Sequence, residues 1–167
     1  SKEAIDNFVE RFDKCHDGAY PNQEENPHIA DEFGADAELF IDKVGSKWVQ
    51  IWDEGYYRSS DNRCEIYLDT AWYPPSDMIL EIYRQMAEID DEIKVSGKYW
   101  DEGYQPIGVF EVYYGQIIEE QDHDLDESEW DDIIEAEGEQ EYDRNFWEEV
   151  VDPAFTVLQE RLDKVMK

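Results

Sequence analysis

The sequence predicts an α+β domain in which two helices cover one face of an antiparallel sheet, and three observations carry that prediction. Apolar residues recur at helical spacing in separate segments along the chain. Runs of β-branched and aromatic residues of strand length stand between those segments. The pentapeptide Trp-Asp-Glu-Gly-Tyr occurs twice, at 52–56 and at 100–104, each time closing a predicted strand that follows a predicted helix.

The first helix carries Ala4, Ile5, Phe8, Val9, Phe12 and Cys15 on one stripe, with Ser1 as N-cap and Glu3 in the first turn. Gly18 and the Pro21/Pro27 stretch stop it. Residues 17–46 follow as an acidic connection of eight acids and one base, Lys43, with a short helix expected over 35–44. Residues 47–52 predict a strand, and 64–72 its partner across a polar turn of Ser59, Ser60, Asp61 and Asn62. Pro74 and Pro75 end that strand. Ser76 then caps a helix with Met78, Ile79, Ile82, Tyr83, Met86 and Ile89 inward. Segments 93–100 and 107–114 form a second hairpin, joined near Gly103. Asp152 and Pro153 read as N-cap and N1 of a closing helix. Phe155, Leu158, Leu162 and Val165 form its stripe, and Arg161, Lys164 and Lys167 suit its negative end.

These elements read as two pseudo-symmetric strand–helix–strand units, which gives a ferredoxin-like sandwich. The second unit is complete at 64–72, 76–90 and 93–100. The first shows a helix and a closing strand, its opening strand expected before Ser1 or absent. The arrangement requires Trp52 and Trp100 on neighbouring or symmetry-related strands of one sheet. The repeated pentapeptide is read either as two similar tight corners, with Gly supplying φ > 0, or as a shared binding element. The expected domains are a ferredoxin-like domain over 1–118 and, over 119–167, an acidic segment and closing helix packed on it. Trp48, Trp52, Trp72 and Trp100 are expected as core or hairpin packing residues.

Charge is the strongest functional signal. Forty-five Asp and Glu against fourteen Lys and Arg give a formal charge of −31 at pH 7. Self-repulsion of that size destabilises a compact state, and high charge with few apolar residues ordinarily means disorder. Six Trp, eleven Tyr and seven Phe argue instead for a folded acidic domain. Its charge density approaches that of nucleic acid, about one charge per ~1.7 Å of duplex axis. Residues 119–143 hold fourteen acids and no Lys or Arg, with Trp130, Ile133 and Ile134 as expected anchors. No apolar run is long enough to span a bilayer, and an anionic leaflet repels this surface. No signal peptide is visible. Cys15 and Cys64, without CxxC spacing, read as free thiols of a reducing, cytoplasmic compartment.

Candidate chemistry is sparse. Asp122, Asp124 and Asp126 match positions one, three and five of a calcium loop, but Glu127 replaces the required Gly and Ile133 the bidentate Glu. His16, His28 and His123 lack zinc-ligand spacing. No phosphate loop, dinucleotide fingerprint or nucleophile elbow is present. Neither enzyme activity, a metal nor a cofactor is expected. Direct nucleic-acid binding is disfavoured because phosphate neutralisation dominates such affinity and no basic stripe supplies it.

The stretch 71–108 carries Ala71, Trp72, Pro74, Pro75, Glu102, Gly103 and Gly108: a strand ending in Ala-Trp, a double proline, an amphipathic helix, an acidic-Gly turn and a Gly-aromatic strand. That pattern resembles the YubB-like ferredoxin-like proteins of phages and plasmids over roughly 70–115. The family's opening Asn-Trp strand has no counterpart here, and the acidic segment lies outside its pattern. The resemblance implies a mobile-element setting and brings no catalytic residues.

Two functional readings follow. In one, the chain mimics nucleic acid and occupies the basic groove of a bacterial nucleic-acid-binding protein, as an inhibitor of host defence. The carboxylates expected to bind are Asp122, Asp124, Asp126, Glu127, Glu129, Asp131, Asp132, Glu135, Glu137 and Glu139. In the other, it is an acidic scaffold or phage assembly protein that binds basic partners without mimicry. Charge that serves solubility alone is the plain alternative to both.

Overall fold

The computed structural model describes residues 1–17, 26–101, 106–123 and 146–167, with the side chains of 16–17 and 52–54 set aside. The elements are α1 (Lys2–Asp17), α2 (Pro27–Phe33), α3 (Phe40–Val44), β1 (Val49–Ser60), β2 (Arg63–Thr70), α4 (Ser76–Ala87), β3 (Ser96–Trp100), β4 (Ile107–Tyr113) and β5 (Gln116–Asp122). A π-helical turn, Trp147–Val151, then leads into α5 (Asp152–Val165). The chain is α+β, as expected. It divides into two compact units: Ser1–Val95 with Tyr114–Ile117, and Ser96–Tyr113 with Ile118–Lys167. The division passes through the expected 1–118 domain and groups the second hairpin with the closing helix.

The core of the first unit is aromatic. α1 buries Ala4, Phe8, Phe12 and Cys15 on its predicted stripe. Phe8 stacks on Phe12 with centroids 5.5 Å apart and meets Phe33 of α2 at 5.4 Å. α2 is the helix that periodicity alone did not predict. Its signal is the pair Asn26–Pro27, an N-cap followed by proline at the first turn. Buried Asn26 accepts from the Ile29 amide at 3.1 Å, and its Nδ2 donates to the Cys15 carbonyl at 3.4 Å. The expected 35–44 helix shrinks to Phe40–Val44. α4 buries Met78, Ile79, Ile82 and Met86 as predicted. Its cap position falls on Pro75, with no side-chain bond, so Ser76 is helical rather than the cap.

β1 runs antiparallel to β2, but it is twice the predicted length because the chain does not turn at the first pentapeptide. Ile51 pairs with Leu68 and Tyr56 with Ile66, so residues 52–55 of β1 face a single residue of β2. Gly55, at φ 62°, lies in this bulge. The strand then continues to Ser60 and turns through the two residues Asp61 and Asn62.

In the second unit the ladder β3–β4 contains two reciprocal glycine–aromatic pairs, Gly97 opposite Phe110 and Tyr99 opposite Gly108. A Cβ on Gly97 would lie 2.5 Å from the Phe110 ring, and one on Gly108 2.2 Å from the Tyr99 ring. Each glycine thus gives the facing ring its place across the ladder. Tyr114 and Gly115, with φ 49° and 74°, form the two-residue turn into β5. β5 is a strand that the acid content of this stretch had concealed. Ile107 and Val109 of β4 pack with Phe146, Val151, Phe155, Leu158 and Leu162. Asp152 is not the expected N-cap: its φ of −62° and ψ of −43° are helical, and the chain reaches Pro153 through the π turn.

One expectation fails outright. β1 pairs with β2, whereas β3 belongs to a separate sheet of order β3-β4-β5, so 47–52 and 95–100 do not share one antiparallel sheet. The physical reason is the bulge at 52–55. It carries β1 onward into its own long hairpin instead of ending the strand at the position equivalent to Trp100.

Candidate functional site: an acidic surface with exposed aromatics

Of the ten carboxylates predicted to bind a partner, the structure describes Asp122, half-buried at the end of β5. Asp124, Asp126, Glu127, Glu129, Asp131, Asp132, Glu135, Glu137 and Glu139 lie outside the described residues, as do the anchors Trp130, Ile133 and Ile134. The calcium-loop reading shares that position, since Asp124 and Asp126 fall there too. No group of three metal-ligating side chains occurs among the described residues.

The acid excess is not confined to 119–143. Outside that segment 31 acids face all fourteen bases. α1 contributes Glu3, Asp6, Glu10 and Asp13, spaced three and four residues apart. These acids lie on the solvent side, opposite the buried stripe of Phe8 and Phe12, over about 15 Å at 1.5 Å per residue. This stripe was legible in the sequence at the same spacing as the apolar one.

Most bases in the first unit are committed to carboxylates. Lys2 and Arg58 both reach Asp6, at 2.7 and 2.6 Å, and hold its carboxyl below the ordinary range. Arg11 pairs with Glu32 at 2.8 Å and lays its guanidinium 4.8 Å over the Phe33 ring. Lys14, Lys43, Arg63 and Arg84 pair with Glu10, Asp31, Glu65 and Glu81. Exposed pairs of this kind add little stability, about 0–1 kcal/mol each. Their consequence is electrostatic: these cations are compensated at short range, and the surplus carboxylates set the field.

An open depression of about 460 Å³ is bounded by Asp31, Asp36, Lys43, Glu81 and Arg84. Arg84 lies 2.6 Å from Glu81 and lowers its pKa, and Lys43 lies 3.9 Å from Asp31, so both of its cations are already paired. Neither cysteine is placed for nucleophilic chemistry. Burial pushes the Cys15 thiol up to about 12 and Cys64 to about 11, where they stay protonated at neutral pH.

Exposed aromatics give the first unit a second character. Tyr57 and Tyr67, 59% and 44% exposed, lie on the outer face of the β1–β2 hairpin. Tyr57 is opposite Glu65 in register, and Tyr67 is two residues along from it. Trp72, expected as a core or hairpin packing residue, is instead 72% exposed, and Tyr73 beside it is 58% exposed. The cause is the backbone. Trp72 has φ 65°, and the Tyr73 amide donates to the Ala71 carbonyl at 2.8 Å across it. This is the geometry of a γ-turn of the rare, strained kind. Trp100 differs, packing edge-on against Trp147 at 5.0 Å and Phe155 at 6.3 Å.

The helices and antiparallel ladders make this an α+β protein. The chain belongs to the family described as the ferredoxin-like domain in Api92-like protein, whose family model matches residues 51–154. The match begins inside β1, ends inside α5 and includes both pentapeptides, while α1, α2 and α3 precede it. No curated protein and no solved structure matches the chain. No helix among the described residues is long and apolar enough to cross a membrane.

Proposed function

We propose that this protein acts as a nucleic-acid mimic, occupying the basic groove of a bacterial nucleic-acid-binding protein and inhibiting a host defence system. The observation that carries the reading is a charge of −31 on a chain that builds two aromatic-rich cores. A charge of this size opposes compactness, so a partner that neutralises it supplies a reason for its retention. Binding releases the counterions held by the partner's groove, and the long-range field steers encounter. The proposal includes the phage and plasmid setting of the YubB-like proteins that 70–115 resembles, and hence the cytoplasm of a bacterial host.

The experiment is a pull-down from bacterial lysate with DNA and RNA as competitors. A mimic's partner is displaced by nucleic acid, and its binding weakens steeply as salt shortens the Debye length to about 10 Å at 0.1 M. Combining Asp122→Asn, Asp124→Asn, Asp126→Asn and Glu127→Gln slows association more than it speeds dissociation.

A second reading, an acidic scaffold or assembly protein, is favoured by one observation. Tyr57, Tyr67, Trp72 and Tyr73 stand exposed, and Trp and Tyr are enriched among residues that dominate protein–protein affinity. A captured partner whose binding ignores both nucleic acid and salt selects this reading and ends the first.

A further inference from the structure

Trp72 is a large side chain held where a large side chain is least expected. A non-glycine residue at positive φ is uncommon, and for a bulky one it is an outlier. Burial does not compensate for the strain, because the indole is 72% exposed. The surroundings nonetheless fix the turn. Ser46 is 4% exposed, and its hydroxyl lies 3.1 Å from the Trp48 carbonyl and 3.3 Å from the Ala71 carbonyl. The Ala71 amide donates to the Trp48 carbonyl at 3.3 Å, and the Thr70 hydroxyl donates to the Tyr73 carbonyl at 2.9 Å. Ala71, next to the exposed Trp72, is itself buried. Backbone strain maintained by a surrounding hydrogen-bond network, with its side chain in solvent, is the pattern of a presented binding residue.

The occupant follows from charge. The Lys47 ammonium lies 5.9 Å from the centre of the Trp72 ring, within the range of a cation–π contact. The ring therefore already receives a cation from its own chain, in a protein whose field is strongly negative. An arginine guanidinium is the better external ligand. It is planar, stacks on aromatic faces and is more weakly hydrated than an ammonium. We propose that the Ala71–Trp72–Tyr73 turn is an arginine-recognition platform, on which a guanidinium of a basic protein partner stacks on Trp72 with Lys47 as its intramolecular competitor. The inference rests on the reading above that the partner is basic, and it names which cationic side chain this surface selects.

Nona-arginine and nona-lysine, equal in charge, test it on the full chain by titration, with the assigned indole N–H of Trp72 followed by NMR. Nona-arginine is expected to bind about three- to ten-fold tighter and to shift that resonance. Trp72→Gly relieves the backbone strain, so the fold is retained in a thermal melt while the preference for arginine over lysine disappears. Trp72→Asn, which also tolerates positive φ, gives the same loss. Lys47→Ala widens the preference in the wild-type background and leaves it absent beside Trp72→Gly. Equal binding of the two peptides, or a preference that survives Trp72→Gly, overturns the platform while leaving the electrostatic reading intact. Binding of neither peptide overturns both.

Discussion

The β1–β2 and β3–β4 hairpins each carry one copy of Trp-Asp-Glu-Gly-Tyr, yet the two copies sit in different backbone roles. In β1 the pentapeptide is an interior bulge: residues 52–55 oppose one residue of β2, and Tyr56 then returns to the ladder opposite Ile66. Tyr56 meets Phe12 edge-on at 6.3 Å, which joins the far side of the bulge to the α1 core. In β3 the same residues begin at the last rung of the strand. Trp100 pairs with Ile107, and the Asp101 amide donates to the Pro106 carbonyl at 3.0 Å. Its ring packs on Trp147 and Phe155. In β1 a glycine that follows two acids gives the chain the ability to leave the ladder. In β1 the ladder resumes at Tyr56, whereas β3 ends at Trp100.

The comparison is tested most severely through those rings. Phe12→Ala is expected to cost about 3–5 kcal/mol, and Phe155→Ala a similar amount, read by denaturant unfolding. A loss below about 1 kcal/mol at either site would show that its hairpin does not depend on the aromatic it packs against.

Glycine substitutions sharpen the contrast with smaller effects. Gly108→Ala drives a methyl into the Tyr99 ring and should cost about 1–3 kcal/mol. Gly55→Ala meets a different obstacle, the left-handed φ of 62°, worth about 1–2 kcal/mol. If Gly108→Ser and Gly108→Ala are both neutral, ring contact across the second ladder is not its stabilising element. A neutral Gly55→Ala would remove the bulge as a fixed feature of the first.

Alkaline titration separates the two regions most gently. Both cysteines lie in the first unit, and burial raises their thiols to about 12 and about 11, above the ordinary 9.0. A group whose folded pKa is raised stabilises the fold fully below its unfolded pKa, and that contribution is lost as pH rises through the folded value. Stability should therefore fall between about pH 9 and about pH 12, and Cys15→Ala should flatten the fall. An unchanged slope in Cys15→Ala, measured by urea midpoints across that range, would place the alkaline response elsewhere.

Much of the fold was legible because local patterns and tertiary environment agree. The stripes of α1 and α4 bury most of the residues their spacing selects, Ile89 being exposed past the end of α4, and both hairpins pair close to where β-rich runs meet polar turns. β5 was hidden because Glu119, Glu120 and Asp122 read as part of an acid run, although Ile117 and Ile118 keep the apolar content of a strand. α2 was hidden because its seven residues are too few for periodicity, leaving only the Asn26–Pro27 signal. Of the candidate site, the sequence yields the acids and their number, which require no folding to count.

Composition and spacing by themselves determined the α+β class, the helix faces and the charge of −31, since each depends on residues near in sequence or on none. Tertiary structure alone decided three things. It separated β1–β2 from the β3-β4-β5 sheet, because strand partners are chosen by hydrogen-bond geometry on both sides of a bulge. It tied Arg11, Lys43 and Arg58 to particular carboxylates, because ion pairs such as Arg58–Asp6 join residues far apart in the chain. It turned Trp72 outward, because a buried serine and a γ-turn fix the backbone there, and no hydropathy pattern records the sign of φ.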